Sequence, residues 1–251
     1  MHFTFLGTGS AAGVPSYGCD CAACRRAGLQ TEYRRNSACG LVEVGTKRWL
    51  LDAGLPDLVD RYPAGSVHGI FLTHYHMDHV QGLFRARWGC DTCLPVIGPD
   101  DPVGCDDLFK HPGVIDFSRK SVPFEPISFG ELSILPLPLN HSRPTVGYFM
   151  THNGRSLAYL TDTCGLPDET QAWLVGNSPD LMVLDCSFAP RPERPRNHND
   201  LTTALEIVGA IKPGRCLLTH IDHRFDAWLM ENPGALPDGV DIGRDRQQLS
   251  V

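Results

Sequence analysis

Short runs of apolar residues recur along the chain, and they end in polar or glycine-containing turns. Runs of this length and composition predict buried β-strands. The predicted strands cover residues 3–6, 49–51, 70–72, 157–160, 181–184 and 216–218. Residues 168–175 and 201–211 have the wider apolar spacing of helices, and Asp200 and Thr202 are available near the N-terminus of the second. Strands with helices between them predict an α/β fold.

Polar residues at the strand ends carry more information than the strands themselves. Five of the predicted strands are followed, directly or after one threonine, by an ionisable residue: Asp52, His74, Asp162, Asp185 and His220. A buried strand holds the residue at its end on a rigid support at the sheet edge, where many α/β sites are built. Five such endings predict a shared cleft.

Size and charge narrow the class of protein. A chain of 251 residues that is 42% hydrophobic can bury a sizeable core, so we expect one domain over residues 1–251. The net charge of -7 disfavours a stable complex with nucleic acid. No basic N-terminal region or long apolar stretch is visible, so we expect neither a signal peptide nor a membrane span, and a cytoplasmic location.

One loop contains an unusual density of metal-binding side chains. Residues 73–79 include His74, His76, Asp78 and His79, which together supply three imidazoles and a carboxylate. Histidine is the most frequent metal-binding side chain, and a structural role does not need so many donors. A polar surface loop is the alternative interpretation. The pattern indicates a metal centre.

The loop resembles the H-x-H-x-D-H signature of the metallo-β-lactamase superfamily, and residues matching the later motifs of that family follow in the same order. The resemblance implies an α/β fold of the αββα sandwich type, with two central mixed β-sheets and helices on the outer faces. It also implies two metal sites: His74, His76 and His141 for one ion, Asp78, His79 and His220 for the other, and Asp162 bridging both.

Two divalent ions, for which the resemblance implies Mn²⁺ or Zn²⁺, can clamp the attacking and leaving oxygens of a phosphoryl transfer, with a hydroxide between them as the nucleophile. The family context implies catalytic roles for Asp78, as a ligand, and for His198, as an acid or a stabiliser of phosphate charge. An exposed, uninvolved His198 is the alternative. Asp52 is either a residue that orients a ligand or a buried structural carboxylate. Asp185 could orient a ligand in the same way, but its neighbour Cys186 gives this role no further support.

The first three cysteines form a separate cluster. Cys19, Cys21 and Cys24 place three thiols in one tight loop, which is typical of a closed structural Zn²⁺ site that needs one more ligand. His223, close to His220, is the candidate fourth ligand, and ordinary buried thiols are the alternative. The Cys90/Cys93 pair has no matching partner pair, so we assign it no metal. The other cysteines are expected to pack in the interior: Cys39, Cys105, Cys164, Cys186 and Cys216.

Longer stretches are similar to the PhnP family of phosphodiesterases, over residues 104–113, 136–142 and 223–232. The resemblance implies hydrolysis of a small cyclic phosphodiester, 5-phosphoribosyl 1,2-cyclic phosphate, to ribose 1,5-bisphosphate in phosphonate catabolism by the carbon–phosphorus lyase pathway. It also implies a homodimer. A tRNA-processing endonuclease like RNase Z and a non-catalytic binding protein like PqqB are the alternatives. The acidic charge and the lack of a tRNA-binding arm disfavour the first, and the complete ligand set disfavours the second.

Overall fold

The computed structural model describes residues 1–251 and contains two seven-stranded β-sheets. The first sheet is built mainly from the N-terminal half of the chain. Its strands in this half are β1 (His2–Gly7), β2 (Cys39–Val44), β3 (Lys47–Leu51), β4 (Ile70–Phe71), β5 (Leu94–Ile97) and β6 (Ile115–Asp116).

The second sheet is built from the C-terminal half. Its strands are β7 (Ile127–Phe129), β8 (Leu132–Pro138), β9 (Val146–His152), β10 (Arg155–Leu160), β11 (Leu181–Asp185), β12 (Arg215–Thr219) and β13 (Val240–Ile242). The last strand, β14 (Gln248–Ser250), returns to the first sheet and pairs antiparallel with β1. The two ends of the chain therefore meet at one edge of that sheet.

Both sheets are mixed, and they follow the same plan. The strand orders are β14-β1-β2-β3-β4-β5-β6 and β13-β12-β11-β10-β9-β8-β7. In the first sheet the antiparallel strands β1, β2 and β3 are followed by parallel pairs from β3 to β6. In the second sheet β7 to β10 are antiparallel neighbours, and β10 to β13 are parallel neighbours.

Eight α-helices accompany the sheets: α1 (Ala22–Leu29), α2 (Leu58–Arg61), α3 (Met77–Val80), α4 (Leu83–Ala86), α5 (Asp106–Lys110), α6 (Asp168–Gly176), α7 (Leu201–Ile211) and α8 (His223–Glu231). A short 3-10 helix covers Thr31–Tyr33. None of the helices combines the length and the hydropathy that crossing a membrane requires.

Alternating side chains divide the interior into layers. In β10, Leu157 and Tyr159 pack between the two sheets, whereas Ala158 and Leu160 face the helices, as the two-residue period of a strand requires. The central layer joins both sheets and includes Phe3, Trp49, Phe71, Tyr148 and Leu217. Separate apolar clusters hold α6, α7 and α8 on one outer face and α2, α4 and α5 on the other. This arrangement confirms the predicted αββα sandwich of the metallo-β-lactamase type.

The predicted strands coincide with β1, β3, β4, β10, β11 and β12, and the predicted helices with α6 and α7. Asp200 caps α7, since its side chain accepts a hydrogen bond from the backbone N–H of Thr203 at 2.9 Å. The proline-rich segment before Asn197 contains no helix or strand, as the sequence predicts. Its residues form a loop between β11 and α7.

Candidate metal centre

The register of the parallel strands places the predicted polar side chains at the C-terminal ends of neighbouring strands in both sheets. Leu51 of β3 pairs with Phe71 of β4, and Asp185 of β11 pairs with Thr219 of β12. Residues that follow neighbouring parallel strands therefore lie side by side. All five predicted strand-end residues are buried there: Asp52, His74, Asp162, Asp185 and His220. The predicted shared cleft is present.

The first group of donor atoms contains three imidazole nitrogens. Nδ1 of His76 lies 2.9 Å from Nε2 of His74 and 3.0 Å from Nε2 of His141. Oδ2 of Asp162 lies 3.6 Å from the His74 nitrogen and 3.8 Å from the His141 nitrogen. Nitrogens that bind one ion at about 2.0–2.1 Å must lie roughly this close together, so these four side chains could hold one metal.

The second group shares the same carboxylate oxygen. Oδ2 of Asp162 lies 3.3 Å from Nε2 of His79 and 3.5 Å from Nε2 of His220. Oδ2 of Asp78 lies 3.5 Å from each of these two nitrogens. Asp162 therefore belongs to both groups, and its Oδ2 faces four imidazoles.

Hydrogen bonds outside the cluster hold several imidazoles by the nitrogen that faces away from it. Nδ1 of His79 lies 2.8 Å from Oδ2 of Asp52, and Nδ1 of His220 lies 2.8 Å from Oγ of Ser187. Nδ1 of His141 donates to the backbone carbonyl of Asn197 at 2.9 Å. Each bond leaves the lone pair of Nε2 directed at the cluster, which is how metal-binding histidines are oriented.

One nitrogen of the second group indicates that a metal ion fits between the donor atoms. Nε2 of His79 is buried and has no hydrogen-bond partner, although burying a polar atom in this way is costly. A cation at the centre of the second group would satisfy this nitrogen. Together with the oxygen and nitrogen donors around it, this observation fits a divalent metal ion.

Two residues at the centre have left-handed backbone conformations. Asp52 has φ 63° and His220 has φ 60°. Residues other than glycine rarely occupy this region, and where they do, the strain is held by the surrounding structure, often at functional sites. In both cases the chain turns immediately after a buried strand, and the side chain is directed into the cleft.

His198 lies next to the cluster and is oriented by Asp185. Its Nδ1 is 2.9 Å from Oδ2 of Asp185 and 4.0 Å from Oδ2 of Asp162. Its ring stacks on that of His220, with 4.5 Å between centroids. Burial alone lowers the pKa of the His198 imidazole, but the Asp185 carboxylate outweighs burial and raises the pKa to about 9.

A balance between burial and neighbouring charge also determines the ionisation of Asp162. Burial opposes the charged form, yet the neighbouring imidazoles of His220 and His79 hold the pKa of the Asp162 carboxyl well below its usual range. The carboxylate therefore carries the negative charge that a bridging metal ligand needs.

Some contributions to the cleft escape sequence reasoning. Ser187 orients His220, and the backbone carbonyl of Asn197 orients His141. Ser187 lies two residues beyond Asp185, the last residue of β11. This position just after a strand was the one feature of the sequence that could have predicted its role. A backbone carbonyl carries no signal at all in the side-chain pattern. Asp52 proves to be an orienting residue, because both of its carboxylate oxygens bond residues of the histidine loop.

The three clustered cysteines and His223 also come together. Nδ1 of His223 lies 3.3 Å from Sγ of Cys19 and 3.5 Å from Sγ of Cys21. The donor atoms of these residues and of Cys24 all lie within 4.8 Å of one another. Three sulfurs and one imidazole form the donor set of a closed tetrahedral zinc site.

Helices α1 and α8 meet at this second cluster. Cys24 lies on α1, and His223 is the first residue of α8. One turn further along α8, Asp226 pairs with Arg26 and with Arg35, each at 3.1 Å. The N-terminal segment is therefore tied to the helix that follows His220. Cys90 and Cys93, by contrast, are exposed and belong to no donor group.

A family model for a β-lactamase superfamily domain matches residues 47–221, which is more than half of the chain. The chain belongs to the metallo-β-lactamase superfamily. The superfamily fold and its clusters of histidine and aspartate donors are those of a metal-dependent hydrolase.

Two curated relatives differ in name. An octanoyltransferase of Porphyromonas gingivalis is 29% identical over 258 residues, which cover 98% of this chain and 50% of the relative. The chain thus spans about half the length of that protein. Coenzyme PQQ synthesis protein B of Stutzerimonas stutzeri is 32% identical over 226 residues, which cover 74% of this chain and 73% of the relative.

A solved structure described as a new diphosphatase from the PhnP family is 27% identical to the chain. It superimposes with a TM-score of 0.82 and covers 99% of this chain and 96% of the other. The similarity to a PhnP-family protein therefore extends over nearly the whole length of both chains.

Proposed function

We propose that the protein is a metal-dependent phosphodiesterase that hydrolyses 5-phosphoribosyl 1,2-cyclic phosphate to ribose 1,5-bisphosphate. The observation that carries this proposal is the pair of donor groups that share Oδ2 of Asp162. Two cations held on one carboxylate suit phosphoryl transfer, because both oxygens of an in-line displacement are charged. Similarity to a PhnP-family diphosphatase supports phosphate ester chemistry.

The proposed ligands follow from the donor groups. We assign His74, His76 and His141 to one ion, Asp78, His79 and His220 to the other, and Asp162 to both. Mn²⁺ and Zn²⁺ both suit imidazole and carboxylate donors. Divalent ions bound there supply positive charge for the phosphate oxygens and make water acidic enough to attack phosphorus at neutral pH.

The side chains of the protein position this chemistry. Asp52 and Ser187 hold the imidazoles of His79 and His220 in one tautomer and one orientation. The contact of Asp185 with Nδ1 of His198 does the same for that ring. Fixed ligands lower the cost of reorganisation when charge develops in the transition state.

We assign His198 the role of general acid. In the hydrolysis a water oxygen forms a bond to phosphorus, and the bond from phosphorus to O2 of the ribose breaks. O2 then needs a proton, which the imidazolium of His198 supplies. The Asp185 carboxylate, 2.9 Å from Nδ1 of His198, raises the pKa of the ring and favours its protonated form.

Cys19, Cys21, Cys24 and His223 are assigned to one structural Zn²⁺. This ion would join α1 to the segment that carries His220, so it would stiffen the catalytic centre without entering the reaction.

The proposal extends to one domain over the whole chain, a homodimer, a cytoplasmic location and a place in phosphonate catabolism. These extensions rest on the similarity to the PhnP family.

A binding protein like PqqB is the second candidate function, and the 32% identity to coenzyme PQQ synthesis protein B is the observation that favours it. The complete donor set and the paired His198 and Asp185 favour an enzyme over it. An endonuclease like RNase Z has less support, because the net charge of -7 disfavours binding of a polyanionic tRNA.

The test offers three substrates in parallel to the protein loaded with Mn²⁺: 5-phosphoribosyl 1,2-cyclic phosphate, a 2′,3′-cyclic nucleotide and precursor tRNA. The proposal expects the ribosyl cyclic phosphate to have the highest kcat/KM. Preference for precursor tRNA would overturn the substrate assignment. Absence of turnover by fully metallated protein would favour the binding protein.

A further inference from the structure

A cavity of about 620 Å³ opens beside the metal centre, along the loop that joins β11 to α7. His198 and Asn197 form one of its walls. Nδ1 of His198 is 4.0 Å from Oδ2 of Asp162, and the carbonyl of Asn197 accepts the hydrogen bond from His141. Through His198 and Asn197 the cavity therefore adjoins the donor groups.

The cavity is basic although the protein is acidic. Its lining includes Arg191, Arg194 and Arg196, with Glu193 as the one carboxylate. Arg194 pairs with Glu206 at 3.4 Å, so part of its charge is already compensated. Arg191 and Arg196 form no ion pair. Two free guanidinium groups beside a phosphoryl-transfer site attract an anion.

The loop that carries these arginines is held in place at both ends and in the middle. The backbone N–H of Arg191 donates to Oδ2 of Asp200 at 2.9 Å. The thiol of Cys164 donates to the carbonyl of Pro195 at 2.8 Å, and Asn197 is held by His141. Pro190, Pro192 and Pro195 limit the backbone further.

Packing also restricts the conformation of the Arg191 side chain. The guanidinium carbon of Arg191 lies 3.7 Å from the centroid of the Phe188 ring, in a cation–π contact. An anion binder that is ordered before its ligand arrives loses less conformational entropy on binding. The backbone of the loop and the Arg191 side chain are therefore held in place by contacts within the protein.

We propose that Arg191 and Arg196 form a subsite for the second phosphoryl group of the substrate, the one that is not cleaved. This inference rests on the proposed function, in which one phosphate of a doubly phosphorylated sugar reacts at the metal centre. The 5-phosphate of that sugar then occupies the arginine cavity. Guanidinium groups bind phosphate oxygens through paired N–H donors, so the subsite selects phosphorylated sugars over uncharged ones.

The decisive experiment compares two substrates that differ only in the second phosphate: 5-phosphoribosyl 1,2-cyclic phosphate and ribosyl 1,2-cyclic phosphate. Wild-type protein is expected to prefer the first. Arg191→Gln and Arg196→Gln should each lower kcat/KM for the first by about 10- to 100-fold, the usual effect of one charged hydrogen bond. They should leave kcat/KM for the second unchanged.

Two variants make the comparison specific. Arg155→Gln removes one positive charge at the start of β10, the end of the strand that lies away from Asp162, and should change neither kcat/KM. Arg196→Lys keeps the charge and should lose less than Arg196→Gln. Metal content and melting temperature of every variant report whether it has folded.

The possible outcomes distinguish a failure of the arginine subsite from a failure of the proposed function. Equal losses on both substrates, or no loss on either, would overturn the arginine subsite while leaving the phosphodiesterase intact. Failure of wild-type protein to hydrolyse either compound would overturn the proposed function, and the subsite with it. Loss confined to the 5-phosphorylated substrate supports both.

Discussion

Asp52 illustrates how a residue outside the metal loop can control it. The carboxylate is fully buried, and its oxygens accept from the backbone N–H of Thr73 at 2.8 Å and contact Nδ1 of His79 at 2.8 Å. It therefore fixes both the start of the loop and one of its imidazoles. Residues in this position tune metal affinity without touching the metal.

The Asp52→Asn variant should keep the fold and bind metal about 10- to 100-fold more weakly, because the amide is a poorer partner for the His79 N–H. Competition with a chromophoric chelator measures this affinity. Asp60→Asn, at an exposed carboxylate that pairs with Arg85, is the matched control and should bind metal like the wild type. Equal affinities in Asp52→Asn and wild type would contradict the orienting role.

His198 gives the second prediction at this scale. The His198→Ala variant should retain its metal and lose about 100- to 10,000-fold in kcat, which is the usual contribution of a general acid. Metal analysis and steady-state kinetics on the same sample check this. Asp185→Asn should show a smaller loss, since His198 remains but loses the carboxylate that orients its ring and raises its pKa. Unchanged turnover in His198→Ala would remove this residue from the mechanism.

Residue types and spacing in the loop of His74, His76, Asp78 and His79 indicated a metal centre. The remaining predicted ligands, His141, Asp162 and His220, came from the resemblance to the metallo-β-lactamase superfamily. The partners that orient these ligands were harder to predict. The role of Ser187 depends on the register between β11 and β12, and Asn197 acts through its backbone. Neither relation is local in sequence.

At the scale of elements, the apolar runs predicted six of the strands, and the other strands were missed. The internal strands β2, β5, β8 and β9 were not among the predicted runs, although β8 and β9 have seven residues each. The edge strands β14 and β6 have only three and two residues, too few apolar positions to form a pattern. The pairing of β14 with β1 joins the two ends of the chain, so no local signal could report it. Long-range pairing of this kind follows from the fold as a whole.

Helices α1 and α8 should depend on the cysteine cluster. The Cys21→Ser variant is expected to lose one equivalent of Zn²⁺ and about 5 °C in melting temperature, because each kcal/mol corresponds to about 2–4 °C in a chain of this size. The metal of the catalytic centre should remain.

Cys93→Ser is the matched control, since Cys93 is exposed and lies in no donor group. Its zinc content and melting temperature should equal those of the wild type. If Cys21→Ser behaves like this control in both measurements, the structural zinc site is wrong.

The protein is acidic overall, yet basic side chains are concentrated in the cavity beside the candidate metal centre. The net charge is -7, whereas the cavity next to the metal centre contains three arginines and one glutamate. Charge near the site, rather than the total, decides which small anions bind there. Polyanions that cover a larger surface meet the overall negative charge as well.

Metal binding should also stabilise the whole chain. An ion present at 100 times its dissociation constant adds about 2.7 kcal/mol to the free energy of unfolding. Chelation should therefore lower the melting temperature by about 5–10 °C, and calorimetry should record one cooperative transition for one domain. Identical melting curves before and after chelation, or two separate transitions, would contradict this expectation.

We propose that the two donor groups joined by Asp162 hold the cations with which the protein hydrolyses a cyclic phosphodiester. The most direct measurement is phosphorus NMR of 5-phosphoribosyl 1,2-cyclic phosphate incubated with Mn²⁺-loaded wild-type protein and with Asp162→Asn. We predict that the wild type replaces the cyclic phosphate signal with that of a second phosphomonoester, while Asp162→Asn leaves it unchanged. A cyclic phosphate signal that persists with metallated wild type, or disappears equally fast with Asp162→Asn, would contradict the account.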